Sequence, residues 1–415
     1  MRSIGDSRRA FLETMGLAGA GALLGGTSVE SARGFAANDT IEVACIGTGG
    51  RCQALMKSLA TIPNVRIAAV CDIYDKNLDA ARKLADPKAA ASKDFREILG
   101  RKDLDAVLIA APDHWHVPMT VAACRAGKDV YVEKPLTHSL AEGTAVIAAR
   151  KETGRVVQVG TQQRSMPHFQ KGLEILKSGN LGRVFKVNLS WNRNTSSRFK
   201  RDSAGIDPKQ VDWKAFLGNA PDQPFDEYRL RNWRWFWDFG GGLLTDLMVH
   251  FIDVAHWYLD LEHPVLATAV GEPFLTEGVW QTPDTIQCLL QYPGMIQAHF
   301  DGTFSNQRNA ARIEFLGTEA TLYLDRGRYE LIPEPGKTVK AEEWILGSNP
   351  RKGQDFYDKP DGELLHLTNW VECVRSRAVP NCPVEAGVSA ASAAHLGNLA
   401  YRGGGAAHWA GAEAL

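Results

Sequence analysis

The stretch from Gly240 to Asp253 reads Gly-Gly-Gly-Leu-Leu-Thr-Asp-Leu-Met-Val-His-Phe-Ile-Asp, with Asp246 and His250 four residues apart. In a helix that spacing sets both on one face, one turn apart, so a carboxylate stands beside an imidazole. Near neutral pH the imidazole can take a proton from an alcohol, while the carboxylate fixes its tautomer and stabilises the cation that results. A core-bonded histidine on a buried helix shows the same spacing, so the pair gains meaning only from other groups. Lys134, in Glu133-Lys134-Pro135, is the third candidate. At a strand end its ammonium can donate to a substrate oxygen and favour the alkoxide, and a solvated surface lysine fits less well just before a proline.

These residues need a scaffold, and the chain supplies one early. Residues 41–46 (Ile-Glu-Val-Ala-Cys-Ile) read as a buried parallel strand running into Gly47-Thr48-Gly49-Gly50-Arg51-Cys52 and a helix to residue 60. The glycines allow a tight turn and close backbone approach to a pyrophosphate, which the helix N-terminus then binds. Cys52 occupies the third glycine position of G-x-G-x-x-G. A second strand, 66–71, ends in Asp72, about 20 residues on, where a carboxylate meets the ribose 2'-hydroxyl. Its charge would repel a 2'-phosphate, which favours NAD over NADP.

Helices at 75–84, 117–126 and 140–153 alternate with strands at 106–110, 129–132 and 156–159. That order means a doubly wound parallel sheet with ligands at the carboxyl ends of its strands. The cofactor set is therefore Gly47, Thr48, Gly49, Gly50, Arg51 and Asp72, joined by Pro112, His116, Glu133 and Lys134 at later strand ends. Turn histidines such as His114 and His116 also commonly bond the backbone locally.

The combination of Gly47-x-Gly49, Asp72, Glu133-Lys134-Pro135, Gly240-Gly241-Gly242 and Asp246-x-x-x-His250 resembles the Gfo/Idh/MocA oxidoreductases, which include glucose-fructose oxidoreductase and inositol dehydrogenase. Tail segments His366-Leu367-Thr368-Asn369-Trp370, Cys373-Val374-Arg375-Ser376 and His395-Leu396-Gly397-Asn398 look like the exported bacterial branch. The resemblance implies that Lys134, Asp246 and His250 form the catalytic group. It also implies a substrate domain built on a large antiparallel sheet, with C-terminal helices packing back on the nucleotide domain.

The pattern changes after residue 160. A helix fits 167–177 and strands fit 184–191, 265–270, 285–292, 295–303, 311–315 and 320–324, followed by two helices over 363–399. The expected fold is α/β: a Rossmann domain at 39–160, an α+β substrate and oligomerisation domain at 161–400, and a frayed tail at 401–415. One sheet face is free to pair with another subunit, so a dimer or tetramer is expected. Gln162, Gln163 and Arg164 follow the last parallel strand, where they contact substrate or join the domains. The segment 192–239 is rich in Arg, Asn and Trp and ends in Trp233-Arg234-Trp235-Phe236-Trp237. Indoles offer flat faces to sugar C–H patches, which makes Trp235 a candidate substrate contact, although most of these rings are expected to anchor the loop.

Composition narrows the class. With 415 residues, 44% hydrophobic and net charge −1, the chain has no electrostatic footprint for nucleic acid or an anionic membrane. Seven scattered cysteines without C-x-x-C spacing argue against a disulfide framework and a zinc site. Ser7-Arg8-Arg9-Ala10-Phe11-Leu12, followed by a Gly/Ala/Leu-rich stretch, resembles a twin-arginine signal over residues 1–36, so export with a tightly bound cofactor is expected and the mature protein has no membrane span. Outside the cytoplasm a hydride taken must be returned. The expected activity is hydride transfer between NAD(P) and a secondary hydroxyl of a sugar or polyol, dismutation of two sugars included. The alternatives are redox-neutral glycoside hydrolysis through a transient keto sugar and non-catalytic carbohydrate binding.

Overall fold

The computed structural model describes residues 39–195, 200–345 and 361–410, so the signal expected at 1–36 lies outside the described residues. Six parallel strands form the first sheet in the order β3-β2-β1-β4-β5-β6. They are β1 (Ile41–Ile46), β2 (Val65–Cys71), β3 (Ala90–Ser92), β4 (Ala106–Ile109), β5 (Asp129–Val132) and β6 (Val157–Val159). β4 and β5 are buried at every residue, as continuous apolar runs must be when helices cover both faces. The covering helices are α1 (Gly50–Leu59), α2 (Asp75–Arg82), α3 (Phe95–Gly100), α4 (Asp113–Arg125) and α5 (Glu142–Thr153).

Two of these elements were not expected, and one begins early. β3 and α3 are only three and six residues long, too short for a periodic signal; α3 is held by Asp94, whose side chain accepts from Arg96 N at 2.9 Å. α4 starts at Asp113 rather than residue 117, because Pro112 is extended and Asp113 places an acid in the first turn.

The second sheet has nine strands in the order β14-β13-β12-β11-β7-β10-β9-β8-β15. These are β7 (Val184–Asn192), β8 (Leu266–Glu272), β9 (Thr285–Tyr292), β10 (Ile296–Thr303), β11 (Ala311–Gly317), β12 (Ala320–Asp325), β13 (Arg328–Pro333), β14 (Glu342–Ile345) and β15 (Ala407–His408). All neighbours are antiparallel except β7 and β10. In β9, Ile286, Cys288, Leu290 and Tyr292 are buried while Gln287, Leu289 and Gln291 between them are exposed, the alternation of a sheet with one covered face. The cover comes from α6 (Pro167–Lys177), α9 (Val249–Leu259) and α11 (Val384–Gly403). The tail is not frayed where it is described. β15 pairs with Leu266 and Ala267, and Trp409 stacks on His263 at 4.2 Å, an apolar ring the expectation of a small-residue end overlooked.

α10 (Gly362–Ser376) leaves the second sheet and packs on the first, with Leu367, Trp370, Val371 and Val374 in one core with β1, α1 and Tyr131. Between the sheets, residues 200–234 form a strap with two short helices, α7 (Trp213–Leu217) and α8 (Glu227–Arg231). The strap is tied to the first sheet's rim: Asp212 N donates to Ile73 O at 2.9 Å, and the Phe216 carbonyl meets His114 Nε2 at 2.8 Å and Trp115 Nε1 at 2.9 Å.

Candidate active site

Gly47 ends β1 with φ +75°, and a Cβ there would lie 2.5 Å from the Ala111 backbone nitrogen, so only glycine lets the turn pass this close to the end of β4. Beyond it the backbone opens. A Cβ at Gly50 would meet nothing within 4 Å, and α1 starts at an extended Gly49 with no side-chain cap, so its first N–H groups point into free space. That space is a cleft of about 830 Å³ lined by Gly47, Gly49, Gly50, Arg51, Asp72 and Pro112 on one side and by the strap on the other. Asp72 sits at the end of β2, where Tyr74 N donates to it at 2.9 Å and Thr48 Oγ1 and Asn77 Nδ2 lie at 3.4 Å. Burial pushes its carboxyl up to about 6, against the pull of those donors. Lys93 and Arg96 border the same cleft, but each is paired, with Asp75 at 2.6 Å and Asp94 at 3.2 Å, so neither stands ready for a 2'-phosphate. The turn, the uncapped helix and the carboxylate fit a dinucleotide.

Arg51, Ala110, Ala111, Trp233 and Arg234 are shared with a smaller cavity of about 250 Å³. Lys134, Asp246, His250, Trp191, Arg193 and Arg326 are also in its wall. Lys134 Nζ donates to Asp246 Oδ1 at 2.8 Å and to the Asp246 carbonyl at 2.7 Å, and Arg234 Nε donates to Oδ1 at 3.2 Å. Burial opposes the charge on Asp246, yet Lys134 and Arg234 outweigh it and hold the carboxyl at about 2. His250 stacks on Trp191 at 5.2 Å. Burial first, then Lys134, Arg326, Arg51 and Arg193, push its pKa well down, so the ring is neutral. Its Nδ1 is buried without a partner, which leaves Nε2 to border the cavity.

The structure therefore brings Lys134, Asp246 and His250 together but pairs them differently from expectation. Residues Leu244–Met248 form a π-helical turn that precedes α9. The Asp246 carboxylate in this turn meets Lys134 and Arg234, and no bond joins it to His250 among the described residues. Gly242 starts the turn at φ +65°, where a Cβ would lie 2.7 Å from Thr282.

Other assignments need correction. Trp235 is absent from the cavity wall; it stacks on Trp280 at 4.4 Å and meets Phe304 edge-on, because the Trp233–Trp235 turn aims alternate rings apart. Arg164 is buried in an ion pair with Asp253 of α9 (2.8 Å) and joins two elements rather than touching substrate. Gln163 is buried behind it, with neither amide atom bonded; Gln162 lines the cavity. His116 lines the cavity too, but its ring nitrogens lie 2.6 Å from the Pro135 carbonyl and 2.8 Å from that of Ala111, so no nitrogen is left for a cofactor. Thr48 acts through Asp72, and Glu133 binds Arg51 at 2.8 Å. The residues that sequence reasoning missed are Trp191 at the end of β7 and Arg326 in the β12–β13 turn; Arg193, Trp233 and Arg234 stood in an Arg- and Trp-rich segment without assigned roles.

Residues 41–161 match the family described as oxidoreductase family, NAD-binding Rossmann fold, and residues 215–323 match the GFO/IDH/MocA C-terminal domain. Together these matches cover more than half of the chain. The chain belongs to the GFO/IDH/MocA oxidoreductases. This family member is 25% identical over 354 residues to scyllo-inositol 2-dehydrogenase (NAD(+)) of Bacillus subtilis (strain 168), covering 82% of this chain and 88% of that one. It is 34% identical to a glycosyl hydrolase family 109 protein of Solibacter usitatus over 163 residues, 36% of this chain and 37% of the relative. Among solved structures, levoglucosan dehydrogenase in complex with NADH and levoglucosan shares the fold, with a TM-score of 0.69 at 17% identity over 90% of this chain and 100% of that one.

A ribose contact at Asp72 would set a pH dependence. The ionised carboxylate is the stronger acceptor for hydroxyls, so NADH affinity of the cofactor-stripped protein should be full above neutrality and weaken as pH drops through about 6. Fluorescence titration between pH 5 and 8 checks this. Asp72→Asn should flatten the profile, and a flat wild-type profile would contradict the assignment.

Proposed function

We propose that this oxidoreductase moves hydride between NAD and a secondary hydroxyl of a sugar or polyol. The observation that carries the proposal is the shared wall: the cavity holding Lys134 and His250 opens on the dinucleotide cleft through Arg51, Ala110, Ala111 and Arg234. Bound NAD supplies or accepts the hydride. Neutral His250, bordering the cavity through Nε2, takes the hydroxyl proton as the carbinol is oxidised. Lys134 holds the oxygen as negative charge develops, and its bond to Asp246 keeps the ammonium at that wall. Asp246, held ionised, is left to position Lys134 and to accept a neighbouring substrate hydroxyl. Relatives named as inositol dehydrogenases support a polyhydroxylated substrate.

A redox-neutral glycosidase is the second reading, favoured by the local identity to the glycosyl hydrolase family 109 protein. Free sugar released from a glycoside without net NADH would support it, and steady NADH accumulation would exclude it. Pure carbohydrate binding is disfavoured by a proton-accepting ring and an ammonium in the cavity that adjoins the cofactor cleft.

We also propose export by the twin-arginine route with the cofactor already seated. The strap over residues 200–234, bonded to the cleft rim through Asp212 and Phe216, is what would retain it. The uncovered face of the nine-stranded sheet carries exposed Val270, Leu289 and Ile332, and we propose a second copy of the chain there. One native mass spectrum reads both proposals. It should show at least two chains of 45.5 kDa, less any signal removed on export, each with one NAD(H). A cofactor-free single chain would contradict both.

The roles of the cavity residues are tested by substitution. Lys134→Ala and His250→Ala should each bind NADH normally and lower kcat by about 100- to 10,000-fold, as losses of a charge-stabilising donor and of a general base do. Full turnover in either folded variant would refute its role.

A further inference from the structure

The charge in the small cavity is one-sided. Lys134, Arg193 and Arg234 bring three positive charges to its wall, and the Asp246 carboxylate, shared by Lys134 and Arg234, answers one of them. Arg51 and Glu133, which also line it, neutralise each other at 2.8 Å. Glu363, behind Arg51, sits in the first turn of α10, where the helix dipole meets its charge. Arg326, also at the wall, lies over the Trp191 ring at 4.5 Å. Asp113, another carboxyl close enough to feel Lys134 and Arg234, is buried, and burial drives it well up toward the neutral acid. Arg193 forms no ion pair among the described residues; its guanidinium lies over the Trp191 ring at 5.1 Å. Trp191 in turn stacks on His250, so this cation stands one ring away from the proton acceptor.

We propose that the substrate is a sugar acid, a polyhydroxylated ring or chain bearing one carboxylate, and that Arg193 and Arg234 seat the carboxylate while Lys134 faces the reacting carbinol. The proposal rests on this cavity being the hydride-transfer site. A guanidinium fork matches a carboxylate in plane and spacing, which an ammonium does not. Lys134, Arg193 and Arg234 against Asp246 leave positive charge at the wall, which suits one carboxylate together with the alkoxide that develops at Lys134. The cavity, about 250 Å³, is smaller than the roughly 300–1,000 Å³ of pockets for drug-sized ligands and suits a single sugar unit. An anion beside Arg193 also answers a difficulty at His250, whose proton affinity is held down by burial and by the surrounding cations. A bound carboxylate offsets those cations, the smaller causes after burial, and so raises the proton affinity of the imidazole.

The test compares matched pairs on the holoenzyme: glucuronate with glucose, galacturonate with galactose, and glucose 6-phosphate as the phosphate arm. Hydride transfer and calorimetric binding are both read. A uronate should exceed its neutral sugar by at least about 100-fold in kcat/KM, mainly through KM, and the advantage should shrink with added salt. Arg193→Ala should cut the uronate-to-sugar ratio by about 10- to 100-fold, the loss of a charge-assisted pair, while Arg193→Lys restores part of it. Neutral sugars equal to or better than uronates in the wild type would overturn the proposal, and so would a preference for the phosphate. Uronate binding that depends on Arg193 without hydride transfer would keep the anion seat and overturn the dehydrogenase reading. An Arg193→Ala ratio equal to wild type would overturn the seat alone.

Discussion

Lys134 lies two residues beyond the fifth strand of the nucleotide sheet, and Asp246 sits in the π-turn that enters α9 on the second sheet; the bonds between them join the two halves of the site. Both side chains are mostly covered, at 11% and 16% exposure, so the pair pays a desolvation cost that only good geometry offsets. The geometry is good because one ammonium meets both the carboxylate and the carbonyl of the same residue, and Arg234 adds a further donor. His250 follows the π-turn by two residues, so this contact also fixes where His250 stands in the site.

The rest of the molecule holds that junction still. Arg51 leaves the glycine turn to bind Glu133 beside Lys134 and Glu363 on α10, so the cofactor turn, the catalytic strand end and the C-terminal helix share one guanidinium. Arg164 and Asp253 do the same on the far side, fixing α9 to the segment after β6. With an exposed aspartate and arginine these contacts would be worth little, but here each partner would otherwise be a buried charge. The strap across the cleft adds closure from above.

What could be read from the sequence was what local rules determine. The glycine turn, Asp72 and the alternating elements from β1 to β6, apart from the short β3 and α3, obey short-range patterns, and the structure reproduces them to within a few residues. Asp246 and His250 were legible as residues but not as partners, because the cations that take the carboxylate, Lys134 and Arg234, come from other elements and local spacing does not reveal them. Trp191, Arg193 and Arg326 arrive at the cavity from β7 and the β12–β13 turn, and only the register of the nine-stranded sheet brings them to His250. Trp235 was misread for a related reason: a three-residue turn decides which ring of a tryptophan run faces inward.

The most direct measurement follows the hydride itself. Holoenzyme is incubated with polyols and sugars deuterated at carbon, inositols, hexoses and uronates among them, then denatured, and the released cofactor is weighed by mass spectrometry. The expected result is NAD(H) carrying one deuterium from at least one substrate, lost when His250 is replaced by alanine. Cofactor that stays unlabelled while those same compounds bind would contradict hydride transfer at this site.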